Sequence, residues 1–289
     1  YRSRQEFNFH AEEALYGLGQ FQDGHMNWRG QRVSLVQANK ISVNPFLIST
    51  GGYGILWDNY SKTIFDDSEG GYGEASTGSF SSEAGDCLDY YFIFGPEPDQ
   101  VISGYRELTG RAPMYPKWAY GYFQSKNRYR SWEELIEVVA EYRRREIPLD
   151  TIVLDYKYWG ELGWSAFLFD ENAGFGNPAE NIRKIHDLDA HIMISIWPKV
   201  DRDSAVGAEL IKKEGTLDPL LVPTTPKAVL HDAYSKDARE IYWRHAREGI
   251  FDQGVDAFWM DGTEPEFDTT NTQRATRLKL MLARDCSLG

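Results

Sequence analysis

Cysteine is nearly absent. Cys87 and Cys286 are the only two in 289 residues, far apart and without paired spacing, which suggests neither a disulfide framework nor a cysteine-built zinc site. The histidines show no i,i+4 pair or cluster, so no metal is expected, and nothing calls for a cofactor. No apolar run approaches the roughly 18 to 20 residues of a membrane-spanning helix, and residues 1–5 lack a signal-peptide core. Basic side chains are in deficit, 31 against 44 acidic, for a formal charge of -13. Such a surface repels phosphate backbones and anionic lipid, so neither nucleic acid nor membrane is expected as a partner, and a neutral ligand fits better. Redox compartment, location and oligomeric state stay open.

Apolar and aromatic residues are plentiful. A hydrophobic fraction of 42% can bury a sizeable core, and 9 Trp with 17 Tyr supply flat faces and edge donors that both cores and sugar clefts use. Residues 254–266, Gly-Val-Asp-Ala-Phe-Trp-Met-Asp-Gly-Thr-Glu-Pro-Glu, set a nearly continuous apolar run against three carboxylates. The run predicts a buried parallel strand. Asp261, Glu264 and Glu266 then fall at its carboxyl end, where parallel α/β folds gather catalytic side chains. A turn cap at Asp261 with two solvated glutamates is the plainer alternative.

Residues 1–112 read as an antiparallel β-sandwich domain, clearest at 33–36, 45–49, 54–57 and 88–94. The Gly-, Ser- and Glu-rich stretch 66–85 predicts a long loop or the scar of an excised insert. From 113 to 289 strands and helices alternate, the pattern of a parallel α/β fold. Strands are expected at 119–123, 151–154, 191–198 and 255–260, with helices opening at the Ser131 cap, through Asn177-Pro178, at Lys236 and at Thr272. The strand ends present Gln124 or Lys126, Asp155, Trp197 or Lys199, and Asp261 to one mouth, as on a (β/α)8 barrel face.

Trp259-Met260-Asp261-Gly262-Thr263-Glu264-Pro265-Glu266 resembles the nucleophile signature of glycoside hydrolase family 31. Similar matches run in register along the chain: Leu15-Tyr16-Gly17-Leu18-Gly19-Gln20, Gly52-Tyr53-Gly54-Ile55-Leu56-Trp57, Pro116-Lys117-Trp118-Ala119, Ile152-Val153-Leu154-Asp155 and Ser195-Ile196-Trp197-Pro198. The resemblance implies a β-sandwich followed by a TIM barrel, and an exo-acting retaining α-glycosidase on a small oligosaccharide substrate. Asp261 is then the nucleophile, Glu264 a further catalytic candidate, and Asp155, Trp197 and Trp259 substrate-binding residues, with a helix cap or a salt bridge to Lys157 or Lys199 the alternative for Asp155 and a core aromatic the alternative for Trp197.

Retention needs two carboxyl groups roughly 5 to 5.5 Å apart. In the family the acid/base aspartate lies on a strand beyond the fourth, outside this chain. A closed barrel takes about 250 residues, so 113–289 fits its first four βα units. Trp259 stands where some α-xylosidases carry lysine, leaving xylose or glucose open, whereas residues 20–27 look more like α-xylosidases. Glucosyl transfer and sugar binding without catalysis are the other readings.

Overall fold

The first 113 residues build two four-stranded antiparallel sheets from alternating apolar and polar positions. The computed structural model describes residues 1–38, 40–71, 73–217 and 227–263. One sheet has the order β1-β7-β6-β3, from β1 (Ser3–Phe9), β7 (Ser76–Ser82), β6 (Thr63–Asp66) and β3 (Arg32–Leu35). The other has the order β2-β4-β5-β8, from β2 (Leu15–Gln20), β4 (Ser42–Ser49), β5 (Tyr53–Trp57) and β8 (Tyr90–Phe94). Phe9, Phe65 and Phe80 of the first sheet and Leu15, Leu47, Ile55 and Trp57 of the second share one buried cluster, which makes the pair a sandwich. Helix α1 (Pro98–Thr109) follows, with Pro at its start and Gln100 closing a capping box on Glu97.

The stretch 66–85, expected to be a loop, is a strand over 76–82. β7 lies inside it and pairs antiparallel with both β1 and β6. The sequence STGSFSS has a loop's composition, yet Phe80 is fully buried. Ser82 Oγ accepts Trp57 Nε1–H at 2.9 Å and meets Thr63 Oγ1 at 2.7 Å. Ladder bonds on two sides and satisfied hydroxyls replace the apolar face that the pattern lacks. The preceding turn is tied down by Arg29, whose buried guanidinium bonds Asp67 Oδ2 at 3.0 Å and donates to the carbonyls of His10, Glu13, Gly71 and Glu74.

A second compact unit begins at Met114. Its parallel sheet has the order β14-β11-β10-β9, from β9 (Phe123–Gln124), β10 (Thr151–Leu154), β11 (His191–Ile196) and β14 (Ala257–Met260). Neighbours in space are successive βα units in the chain, as in one wall of a TIM barrel. The first strand begins later than expected: Pro116 opens a 3-10 turn at Lys117–Tyr120, and the ladder starts at Phe123.

Helix α2 (Trp132–Arg144) starts where Ser131 Oγ accepts Glu134 N–H, and α3 (Pro178–Asp187) starts with Pro. α4 (Ala205–Lys212) lies in what read as a long connection and is capped by Ser204. An antiparallel pair of β12 (Lys199–Asp201) and β13 (Ala228–Leu230), with α4 between them in the chain, and then α5 (Lys236–Gly249) lead to β14. The helix expected from Thr272 lies outside the described residues. Ile152, Leu154, Ile192, Ile194 and Ile196 pack with Leu135, Val139, Ile182, Ile185, Leu210 and Ile241 of the helices. Each such side chain contributes about 1.5–3 kcal/mol on burial.

β14 was expected to be buried. Trp259 is 40% and Met260 68% exposed, because among the described residues β14 pairs with β11 alone.

Candidate active site at the strand ends

Strand register decides which side chains meet. Leu154 pairs with Ile194, and Ser195 with Trp259, so Asp155, Ser195 and Trp259 fall on one row of the sheet. Ile196 pairs with Met260, and the Asp261 N–H donates to Ile196 O at 2.9 Å, carrying the ladder one residue further to set Trp197 beside Asp261. Alternation puts Ile152, Leu154, Ile192, Ile194 and Phe258 on the helix-covered face. Asp155, Trp259 and Asp261 belong to the opposite face, at the carboxyl end of the sheet.

Asp261 and Trp197 are joined through Gly262. A β-carbon on Gly262 would stand 2.3 Å from Trp197 Cε3 and Cζ3, so the indole lies directly on the glycine backbone. Gly262 also has a φ of 62°, a left-handed conformation that costs a side-chain-bearing residue. The Gly262 N–H donates to Asp261 Oδ1 at 2.8 Å and fixes the carboxylate against the turn. Asp155 is half-buried, and its Oδ1 accepts the Tyr156 N–H at 2.7 Å, a local turn bond that fixes the carboxylate at the strand end. Trp259 shares the row of Asp155 and is exposed. Glu264 lies outside the described residues.

The loop after β10 adds aromatic walls. Tyr158 packs on Trp159 at 4.9 Å, Trp159 on Trp164 at 5.4 Å, and Trp164 edge-on to Trp197 at 5.2 Å between ring centres. Lys199 is buried with its ammonium 4.8 Å from the Trp197 ring centre and 5.3 Å from that of Trp164. That distance is one at which an aromatic face stabilises a cation. The indole N–H groups of Trp164 and Trp197 are buried without a hydrogen-bond partner. Sequence reading singled out neither Trp164 nor Ser165, whose Oγ accepts the Trp197 N–H at 3.3 Å. The crowding of Tyr and Trp over residues 156–164 was the available signal.

At the opposite end of the strands, Asp256 Oδ2 meets His186 Nε2 at 2.9 Å and accepts the Ile192 N–H, while its Oδ1 lies 3.2 Å from His191 Nδ1. Sequence spacing did not reveal this grouping, which ties α3 to the starts of β11 and β14. Among the described residues no group of three or more His, Cys, Asp and Glu side chains suits a metal ion.

Two family models match the chain. Residues 112–283 match the glycosyl hydrolases family 31 TIM-barrel domain, and residues 1–66 the glycosyl hydrolase 31 N-terminal galactose mutarotase-like domain. An alpha-xylosidase of Saccharolobus solfataricus is 40% identical over 92% of this chain and 35% of its own length. Alpha-glucosidase 2 of Bacillus thermoamyloliquefaciens is 28% identical over 89% of this chain and 34% of its own. The crystal structure of a GH31 alpha-xylosidase from a soil metagenome, complexed with xylose, superposes with a TM-score of 0.83 at 30% identity, over 93% of this chain and 39% of that one. The chain therefore spans between a third and two fifths of the length of these relatives.

Proposed function

Because the chain belongs to glycosyl hydrolase family 31, we propose that it carries the nucleophile half of a retaining exo-α-glycosidase site, with Asp261 as nucleophile and a xylosyl-containing oligosaccharide as substrate. The observation that carries the reading is the seat of Asp261: at the carboxyl end of β14, one residue from the glycine on which Trp197 lies.

In this mechanism the Asp261 carboxylate attacks the anomeric carbon as the glycosidic bond breaks, giving a covalent glycosyl-enzyme. A carboxylic acid from a strand beyond the fourth protonates the leaving oxygen, then as a carboxylate takes a proton from the water that hydrolyses the intermediate. Asp155 accepts hydrogen bonds from ring hydroxyls, and the faces of Trp197 and Trp259 take the sugar's apolar C–H surface. Glu264, three residues after the nucleophile in sequence, is the second catalytic candidate. The division proposed for the chain is a sandwich over 1–112 and the first four barrel units over 113–289.

The likeness to alpha-xylosidases at 40% and 30% identity supports the xylosyl preference. Trp259, in the place where some α-xylosidases carry lysine, leaves an α-glucosidase as the second reading. Hydrolysis of paired aryl α-xyloside and α-glucoside by the natural full-length polypeptide, followed by NMR, separates them. The reading predicts faster turnover of the xyloside with the α-anomer released first. Release of the β-anomer first, or turnover of the glucoside alone, contradicts it.

A further inference from the structure

Four consecutive carbonyls at the end of β11 each receive a donor from elsewhere. Tyr158 OH donates to Ser195 O at 3.1 Å, Asp261 N–H to Ile196 O at 2.9 Å, Tyr242 OH to Trp197 O at 2.7 Å, and His231 Nδ1–H to Pro198 O at 3.0 Å. The Tyr242 bond is the shortest polar tie on Trp197. That residue's own N–H reaches Ser165 Oγ at 3.3 Å, and its indole N–H is buried without a partner. The next residue is Pro198, which has no N–H to carry a ladder onward. A hydroxyl on a helix is therefore one of the ties that hold the exit of the chain from β11.

Tyr242 is itself held on two sides. The His231 ring stacks on it at 4.2 Å and 23°, and Phe167 meets it edge-on at 4.9 Å and 84°. Phe167 in turn is placed by α5: a β-carbon on Gly249 would stand 1.9 Å from Phe167 O, so only glycine lets the helix end approach that loop. The chain of contacts runs from Gly249 through Phe167 and Tyr242 to Trp197, and from the Trp197 ring to Gly262 beside Asp261.

We propose that Tyr242 is a positioning residue for the reaction: its hydroxyl, bonded to Trp197 O, sets the indole against Gly262 and so places the aromatic wall beside the nucleophile. The inference rests on the reading of Asp261 above. Tyr242 touches neither substrate nor reacting atoms and acts through Trp197. A phenylalanine at this position keeps the ring between His231 and Phe167 and removes the bond alone. Small misplacements of a positioning group act on turnover more than on ground-state binding.

The test compares Tyr242→Phe with Arg244→Ala in the natural full-length polypeptide. Arg244 lies on the same helix and pairs with Glu209 at 2.6 Å, so its loss perturbs α5 without touching Trp197. Steady-state constants are measured well below the unfolding midpoint of each variant, together with the rate at which a fluorinated α-xylosyl donor labels Asp261. The expected result for Tyr242→Phe is a fall of about tenfold in kcat and in labelling rate with KM within about twofold, against unchanged constants for Arg244→Ala. Labelling of Asp261 in Tyr242→Phe at the wild-type rate overturns this inference and leaves the nucleophile reading standing, as does an equal fall in Arg244→Ala. Absence of label in the wild type removes the nucleophile reading, and this inference with it.

Discussion

Trp197 and Asp261 come from neighbouring strands and meet through one glycine. Asp261 N–H bonds the carbonyl just before Trp197, and the Trp197 ring covers the residue just after Asp261. Chain placement of the carboxylate and of the aromatic wall is therefore one event: moving either displaces the other.

Gly262→Ala tests that coupling. A methyl group at this position has no room against the indole, and a φ of 62° adds left-handed strain of about 1–2 kcal/mol. The expected outcome is a kcat/KM lowered by about a hundredfold with a modest loss of stability, read from steady-state kinetics alongside a urea unfolding curve.

Asp155→Asn removes a charged acceptor and keeps the shape. A hydrogen bond to a charged group contributes about 1.5–3 kcal/mol, so kcat/KM for the natural sugar falls by about ten- to a hundredfold. Deoxy sugars identify the partner: the hydroxyl that Asp155 binds is the one whose removal costs the wild type heavily and the variant little.

In the sandwich, Arg29→Ala leaves Asp67 buried without its cation and strands four carbonyls. Breaking a buried pair in this way costs about 3–5 kcal/mol, and the urea midpoint falls accordingly. Arg244→Ala, which breaks a pair exposed to solvent by a third or more, shifts it by at most about 1 kcal/mol.

Acidification weakens the clamp on β11. Burial lowers the pKa of His231 below the ordinary histidine value near 6.5, against the opposing pull of the Pro198 carbonyl. The unfolded chain then binds the proton more readily than the fold. His231 thus contributes stability that is present above about pH 6.5 and is lost as the pH falls through its lowered value. His231→Gln flattens that part of the curve of unfolding free energy against pH, measured in urea from pH 8 to 5.

Much of the barrel wall was legible because its signals are local. Residues 151–154 and 191–196 are short apolar runs between turn residues, and α2 begins at a serine followed by two glutamates. β7 was illegible: its serines and glycine copy a loop, and what makes it a strand is pairing on both sides with segments far off in the chain. α4 was hidden inside a connection because only its Ser204 cap marks it in sequence. At the site, the carboxylates and Trp197 stood out by their place after apolar runs. Trp164 and Tyr242 did not, since each reaches the site through a tertiary contact: a ring edge in one case, a hydroxyl on a distant carbonyl in the other.

The most direct measurement is a mass-spectrometric peptide map of the natural full-length polypeptide after incubation with a fluorinated α-xylosyl donor that leaves a slow covalent intermediate. The account predicts one xylosyl adduct, on the peptide that contains Asp261. An adduct on any other carboxylate, or turnover of the donor with no adduct and no slowing in Asp261→Asn, contradicts it.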